Sequence, residues 1–182
     1  MIDLKRFDDL PLPWQNRQEW LALLEFCSAH FAVRGISRPI VVELGVYENR
    51  QRSFYVEFLG AEHIGIDNKD EFTAPDIKGD TASATVPKEL AARLDGRNVD
   101  LLFIDAGHEI ADISRDYDLY AGFVKSGIIV LHDLYSYPNS VGKFWADLIG
   151  AGRGDPRLTF IEIRAWNSPT YCYGTGLIIR GE

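Results

Sequence analysis

Short apolar runs alternate along the chain with longer segments in which apolar residues recur every three or four positions. The short runs are rich in branched aliphatic residues, as buried parallel strands are, and the longer segments predict helices. The predicted strands that alternate with helices are 40–43, 63–67, 76–81, 99–105 and 128–131. Two more strands, near 158–163 and 173–180, are predicted to close the chain. This order is typical of an α/β protein.

The helical segments fit between these strands. Gly127 is predicted to cap the helix at 111–124. Residues 1–13 have mixed charge and two prolines and are predicted to be a lead-in outside the core, so that residues 1–35 supply this lead-in and one helix. The predicted helices are 14–33, 50–59, 87–94, 111–124 and 139–150. Because no repeat or linker interrupts the pattern, residues 1–182 are predicted to form one doubly wound, Rossmann-like domain with a mostly parallel sheet and helices on both faces.

Each predicted strand of the alternating part ends at or near an acidic residue. The carboxyl ends of parallel strands meet at one edge of a sheet, where ligands of such folds bind. A row of acids at this edge therefore predicts a functional site rather than a polar border. The acids are Glu43, Asp67, Asp80, Asp105 and Asp133.

The turn after the first strand narrows the choice of ligand. It contains Gly45, which lets a backbone approach a ligand closely, but it lacks the Gly-x-Gly-x-x-Gly pattern of dinucleotide sites. Glu48 in the same turn would repel a pyrophosphate, and the chain has no Walker-type phosphate loop. An edge lined by acids suits a ligand with ribose hydroxyls, an amino group and positive charge. S-adenosylmethionine has all three.

Composition excludes some classes of protein. The chain has 182 residues and a net charge of -8, which disfavours a nucleic-acid partner. No apolar run approaches the roughly 20 residues of a membrane span. Cys27 and Cys172 lie far apart without metal-type spacing, and no signal peptide is evident, so reduced thiols and a cytoplasmic location are expected.

Five motifs in a fixed order resemble those of the class I S-adenosylmethionine-dependent methyltransferases. Among them, the sequence is most similar to the small metal-dependent O-methyltransferases related to macrocin O-methyltransferase and the cephalosporin-hydroxylase-type proteins. The resemblance covers about residues 38–135 and implies a seven-stranded sheet whose last strand is antiparallel. The motifs are ELGVY at 43–47, GID at 65–67, GDT at 79–81, FIDAGHE at 103–109 and GIIVLHD at 127–133.

The resemblance implies how the cofactor would be held. Gly45 would lie against its methionine and ribose, and Glu43 would face its amino group. Asp67 would accept hydrogen bonds from the two ribose hydroxyls. Asp80, with Thr81 beside it, would lie next to the adenine. Asp105 would complete the cofactor site.

Two acids and two histidines suggest metal-assisted catalysis. Asp105 and Asp133 are candidate ligands for a divalent cation such as Mg²⁺, which prefers carboxylates. His108 could accept the proton of an acceptor hydroxyl. Three roles are open for His132. It is a ligand to an ion softer than Mg²⁺, a general base, or a buried histidine with a structural role.

The sequence departs from the family pattern just after the first motif. Asn49, Arg50 and Gln51 stand where the family usually has glycines and a serine. Asn49 tolerates a left-handed backbone and can preserve the turn. Arg50 could bind the methionine carboxylate or obstruct the site.

The acceptor pocket is expected from three segments: residues 1–35, the loop at 134–142, and the loop at 164–172 with Trp166, Asn167 and Tyr171. The leading hypothesis is O-methylation of a small-molecule acceptor. The alternatives are a non-catalytic protein that binds the cofactor or a partner, and a metal-dependent hydrolase that uses the aspartates and histidines of the last two motifs. A homodimer is a reasonable expectation for a domain of this size.

Overall fold

The computed structural model describes residues 2–165 and 172–181, and within these ranges seven strands form one sheet. The strands are β1 (Ile40–Leu44), β2 (Glu62–Asp67), β3 (Ile77–Lys78), β4 (Leu101–Ile104), β5 (Gly127–Leu131), β6 (Leu158–Ile163) and β7 (Thr175–Arg180). The helices are α1 (Leu4–Asp9), α2 (Arg17–Val33), α3 (Gln51–Leu59), α4 (Val86–Leu94), α5 (Ile110–Tyr120) and α6 (Val141–Gly152). Among the described helices, none is both long and apolar enough to cross a membrane.

The sheet order is β3-β2-β1-β4-β5-β7-β6. Strands β1 to β5 are parallel, and β7 lies antiparallel between β5 and β6. The predicted doubly wound, Rossmann-like sheet with an antiparallel last strand is confirmed. The strand order reverses direction at β1 and β4, so the loops that follow these two strands diverge. Folds of this kind bind ligands in the crevice between such loops.

Two apolar cores cover the sheet. One contains residues of α4, α5 and α6 packed on side chains such as Val42 and Leu44 of β1. The other contains residues of α1, α2 and α3 packed on the opposite side, against Val41 and Phe103. Because successive strand residues point to opposite faces, β1 must be apolar at almost every position. Its residues are all buried, including the single acid Glu43.

Most predicted boundaries agree with the structure to within a few residues, and two differ for local reasons. Helix α2 starts at Arg17 because the Asn16 side chain accepts hydrogen bonds from the backbone N–H groups of Gln18 and Glu19. The predicted cap at Gly127 is wrong. Helix α5 ends at Tyr120 and continues as a single 3₁₀ turn to Phe123, whereas Gly127 opens β5.

The prediction that residues 1–13 lie outside the core is also wrong. Residues 4–9 form α1, capped by the Asp3 side chain, so two of the described helices precede the sheet instead of one. Phe7 of α1 is completely buried, with its ring centroid 5.0 Å from that of Phe54 in α3. A six-residue helix is too short to show a clear apolar period, so the sequence pattern did not reveal it.

Replacing Phe7 with alanine should therefore destabilise the protein. Loss of a fully buried ring and the cavity it leaves should lower the free energy of unfolding by about 3–5 kcal/mol. Chemical denaturation measures the change. Leu4→Ala is the control on the same helix, since Leu4 is 51% exposed, and it should cost less than about 1 kcal/mol. Equal effects of the two substitutions would contradict the burial of α1.

Candidate active site

The glycine turn after β1 lies directly against the end of β4. Gly45 has a φ of +83°, and a Cβ atom on it would stand 2.2 Å from the carbonyl oxygen of Asp105. Only glycine fits this contact between two backbones. Tyr47 and Asn49 follow with φ values of +46° and +55°. Asn49 thus takes the left-handed conformation that the sequence predicted for it.

Asp67, at the end of β2, holds this turn in place. Its Oδ2 accepts hydrogen bonds from the backbone N–H groups of Val46 and Tyr47, at 2.9 and 3.0 Å. Its Oδ1 accepts one from the N–H of Lys69 at 2.9 Å. A carboxylate oxygen can accept more than one hydrogen bond, so Asp67 still has capacity for a ligand.

A cavity of about 460 Å³ opens beside the turn. It is lined by Gly45, Asp67, Asp80, Thr81 and Asp105, which are five of the six residues predicted to bind the cofactor. The side chain of Asp80 also accepts a hydrogen bond from the N–H of Ala82 at 2.9 Å and so fixes its own loop. The cavity is large enough for a ligand of the size of a nucleoside.

Glu43, the sixth predicted residue, does not line this cavity. It is completely buried on the face that packs against α2 and α3, and its Oε2 lies 2.7 Å from Nε2 of His63. Burial is the main cause that raises the pKa of Glu43, although His63 partly opposes the shift. Glu43 lies two residues after Val41 and so shares its face of β1, which places the carboxyl group in the core beside α2 and α3 and not in the cavity.

A second cavity of about 190 Å³ adjoins the first and shares Gly45, Tyr47 and Asp105 with it. His132 and Asp133 line one side of it. The segment between α1 and α2 lines the other side, including Trp14 and Gln15. The two cavities thus meet where the glycine turn touches the end of β4.

Asp105, His132 and Asp133 form the one group of described residues with metal-type geometry. Each offers a ligand atom, and these atoms all lie within 4.8 Å of one another. His132 Nδ1 is 3.4 Å from Asp105 Oδ1 and 3.5 Å from Asp133 Oδ2. His132 is 4% exposed, and neither ring nitrogen has a hydrogen bond of good geometry to a described residue. The predicted metal triad is thus brought together.

His108 completes the cluster. Its Nε2 lies 3.1 Å from Asp133 Oδ2 and 3.5 Å from Asp105 Oδ1. Its ring stacks on Tyr137, with the centroids 4.2 Å apart and the planes at 17°. Tyr137 belongs to the loop at 134–142 that was predicted to border the acceptor. The stacking fixes the imidazole beside both carboxylates.

The four groups of this cluster favour one another's charged forms. Hydrogen bonding to Asp105 and Asp133 raises the pKa of His108 to about 9. Burial would lower the pKa of His132, but the two carboxylates outweigh it and raise that pKa to about 10. Burial likewise disfavours ionised Asp105 and Asp133. The histidines nevertheless hold the pKa of Asp133 at about 2 and that of Asp105 well below its usual range. The carboxylates are therefore ionised and suited to a cation.

Sequence reasoning missed Gln15, which touches the metal triad. The Gln15 side chain is 9% exposed, and its Nε2 donates a hydrogen bond to Asp105 Oδ2 at 3.0 Å. The two residues are 90 positions apart. No local pattern could have found this pair, because the contact exists only once the segment before α2 lies across the sheet edge.

Arg50 does not project freely into the site. Its guanidinium donates a hydrogen bond to the backbone oxygen of Leu12 at 3.0 Å and forms an ion pair with Glu48. Glu48 also accepts a hydrogen bond from Trp14 Nε1 at 3.2 Å. Arg50, one of the residues that differ from the family pattern at 49–51, thus helps to hold the N-terminal segment against the glycine turn. Of the predicted acceptor loop at 164–172, Trp166, Asn167 and Tyr171 lie outside the described residues.

Comparison with known proteins gives the fold its context. No known family model matches the sequence, and no curated protein matches it. Among solved structures, the chain resembles the MycE methyltransferase of the mycinamycin biosynthetic pathway, in complex with Mg, SAH and mycinamycin VI. The TM-score is 0.62 at 16% identity, over 87% of this chain and 48% of that one. The chain thus spans about half the length of MycE.

Two shorter enzymes match over most of both chains. The O-methyltransferase TomG of Streptomyces achromogenes, in complex with SAM, has a TM-score of 0.60 at 15% identity, over 98% of this chain and 86% of that one. The Bacillus cereus O-methyltransferase, in complex with SAH, has a TM-score of 0.57 at 13% identity, over 97% and 88%. At these identities the likeness concerns the fold. With its strand order and antiparallel last strand, the chain has the Rossmann-like fold of the class I S-adenosylmethionine-dependent methyltransferases.

Proposed function

We propose that this protein transfers the methyl group of S-adenosylmethionine to a hydroxyl group of a small molecule, with a divalent cation at Asp105, His132 and Asp133. The observation that carries the proposal is the junction of the two cavities. The cavity of nucleoside size and the cavity that holds the metal-type triad meet at Gly45, Tyr47 and Asp105. A methyl donor in the first cavity would present its reactive end to the second.

The first cavity suits the adenosyl part of the cofactor. Along the sheet edge, Asp67 ends β2 and lies between the Gly45 turn after β1 and Asp80 after β3. This order matches a ligand whose methionine, ribose and base follow one another. Asp67 would accept hydrogen bonds from the ribose hydroxyls, and Asp80 and Thr81 would border the base.

The donor set of the triad fits a divalent cation. It combines two carboxylates, which suit Mg²⁺, with the imidazole of His132, which suits Mn²⁺, Fe²⁺ or Zn²⁺ better and would have to release its proton as the ion binds. Surrounding groups orient the carboxylates: Gln15 donates to Asp105, and the Ser136 hydroxyl donates to Asp133 Oδ1 at 2.8 Å. Mg²⁺ is the first ion to test, because solved structures of MycE contain it.

The residues of the second cavity would perform the rest of the chemistry. When bound, the cofactor supplies an activated methyl group, and the cation lowers the pKa of the acceptor hydroxyl. The two carboxylates keep His108 protonated in the metal-free protein. A cation bound to them would remove this cause, and His108, held by Tyr137 next to both carboxylates, would then be placed to receive the proton of that hydroxyl. Trp14 and Tyr47 offer aromatic walls that would orient a flat or sugar-like acceptor for in-line attack on the methyl group.

The first experiment measures S-adenosylhomocysteine binding by calorimetry with the wild type and with Asp67→Ala. The substitution removes the ribose acceptor and leaves the turn N–H groups of Val46 and Tyr47 without their partner. Affinity should fall about 100-fold. Asp70→Ala is the control, because Asp70 is an exposed acid of the same loop that pairs with Lys78, and affinity should stay within about twofold.

The same variants separate the proposal from the two alternatives. A metal-dependent hydrolase would act without S-adenosylmethionine and keep its activity in Asp67→Ala. A non-catalytic protein would bind S-adenosylhomocysteine but show no turnover over a panel of hydroxyl acceptors with Mg²⁺ or Mn²⁺. Absence of S-adenosylhomocysteine binding to the wild type would refute the proposed function itself.

A further inference from the structure

A groove of about 280 Å³ lies at the edge of the sheet opposite the candidate active site. The active site follows the carboxyl ends of the parallel strands, whereas the groove lies where β5 and β6 begin and β7 ends. None of its lining residues borders either cavity of the active site. The groove is lined by Lys125, Asp155, Arg157, Leu158, Arg180 and Gly181.

The groove collects positive charge in an acidic protein. Three of its lining residues are cationic and only Asp155 is acidic, although the whole chain has a net charge of -8. Like charges that converge in a concave site repel one another, and a bound anion would relieve this repulsion. The remaining two residues, Leu158 and Gly181, offer little apolar surface. The groove therefore suits a compact anion better than a ligand with a ring system.

Arg180 is the fixed element of the groove. It is half-buried, and its guanidinium donates hydrogen bonds to the backbone oxygens of Ala121 at 2.7 Å and Val124 at 3.1 Å. It donates another to the hydroxyl of Tyr117 at 3.1 Å. All three acceptors are neutral, and no described carboxylate forms an ion pair with Arg180. A guanidinium has five N–H donors, so Arg180 is held in place with its charge unbalanced and with donors to spare.

The other two cations also keep donors for a ligand. Arg157 binds the Asp155 carboxylate through Nε at 3.0 Å and Nη2 at 2.8 Å, which leaves its Nη1 without a described partner. The backbone N–H of Lys125 donates to Asn98 Oδ1 at 2.8 Å, but its ammonium group has no hydrogen bond or ion pair to a described residue. Asp155 thus balances one of the three cations, and the charge of the other two remains.

We infer that this groove binds a small multivalent oxyanion, namely phosphate or the phosphate group of a monoester, between Arg180, Lys125 and Arg157. Guanidinium N–H groups match the spacing of two phosphate oxygens, and an ammonium group adds a compact positive charge. The anion would link the starts of β5 and β6 to the end of β7. Because the groove lies apart from the cofactor cavity, the inference does not depend on the proposed function.

The test is an NMR titration of the protein with inorganic phosphate at constant ionic strength. A chelator keeps metal ions away from the Asp105, His132 and Asp133 triad, where phosphate could otherwise bind through a cation. Shifts of amide signals around the groove should saturate with a Kd of about 1 mM or below, and acetate should bind at least about tenfold more weakly. Glycerol 3-phosphate should also bind, and the tighter of the two phosphates tells whether the site prefers the free ion or an ester.

Two variants that each change one charge should shift the affinity for phosphate in opposite directions. Lys125→Gln removes an unpaired ammonium group and should weaken binding about fivefold. Asp155→Asn removes the single acid of the groove and releases Arg157, so it should tighten binding about threefold. Lys88→Gln is the matched control, because Lys88 is an exposed lysine of α4 outside the groove. Its affinity should stay within about twofold of the wild type.

Arg180→Gln should weaken phosphate binding by about tenfold or more, since Arg180 is the anchored cation. Thermal unfolding checks that this variant folds. Phosphate should also raise the Tm of the wild type more than that of Arg180→Gln, because it binds the folded protein alone. Absence of saturable phosphate binding to the wild type would overturn the inference, and so would equal affinities in Lys125→Gln and Asp155→Asn. Either result would leave S-adenosylhomocysteine binding, and with it the proposed function, untouched.

Discussion

Alanine in place of Gly45 should abolish cofactor binding and weaken the fold. The new Cβ would meet the backbone of the β4 loop: the oxygen of Asp105 at 2.2 Å, its carbonyl carbon at 2.8 Å and Cα of Ala106 at 2.9 Å. Backbone atoms cannot turn aside as a side chain can, so the ends of β1 and β4 must move apart. We expect a loss of about 100-fold or more in S-adenosylhomocysteine affinity and about 2–4 kcal/mol in the free energy of unfolding.

Gly96→Ala is the control that distinguishes the steric overlap at Gly45 from the strain of a left-handed backbone. Gly96 has a φ of +77°, close to that of Gly45, but none of the described atoms would lie within 4 Å of a Cβ there. Alanine at this position should therefore cost only the strain of a left-handed residue, about 1–2 kcal/mol, without an effect on ligand affinity. Calorimetry and denaturation measure both quantities. A Gly45→Ala protein that behaves like Gly96→Ala would show that the two strand ends are not in close contact.

A large loss of turnover is expected for Asp105→Asn. The amide keeps the shape of the side chain, and its oxygen can still accept the hydrogen bond from Gln15 Nε2. It removes, however, the negative charge that Asp105 shares with Asp133 at the candidate metal site. Turnover with an accepted substrate should fall by about 1000-fold and no longer respond to added Mg²⁺ or Mn²⁺, because loss of a ligand costs more than the 10–100-fold typical of an outer partner.

The affinity of Asp105→Asn for S-adenosylhomocysteine is a second, independent measurement on this variant. Since Asp105 only borders the cofactor cavity, affinity should change by less than about tenfold. Asp147→Asn is the control, an exposed acid of α6 in an ion pair with Lys143, and its activity should equal that of the wild type. If chelation leaves wild-type turnover unchanged and Asp105→Asn stays active, the cation has no role and the triad is structural.

The strand ends show how far sequence reasoning reached. Parallel strands buried on both faces must be apolar throughout, so β1, β4 and β5 stand out as short apolar runs. Their carboxyl ends meet at one edge in any sheet of this kind. The acids that follow them could therefore be placed together from the sequence, and Asp67, Asp80, Asp105 and Asp133 do line the adjoining cavities.

Glu43 shows where that reasoning stopped. Like the other acids it lies near a strand end, but it precedes the end of β1 and points into the α2–α3 core, where His63 meets it. Which face of a fully apolar strand a residue occupies depends on the packing of helices on both sides. The pattern of β1 contains no alternation from which to read it.

The sequence by itself determined the alternation of strands and helices, the glycine at the first turn and the row of carboxyl groups at the sheet edge. These features follow from local rules of burial and backbone conformation. Only the tertiary structure decided that Gln15 reaches Asp105 and that Phe7 belongs to the core. Such contacts join residues far apart in the chain, or depend on how a helix packs over a loop. They arise from the packing of whole elements and leave no trace in the neighbouring sequence.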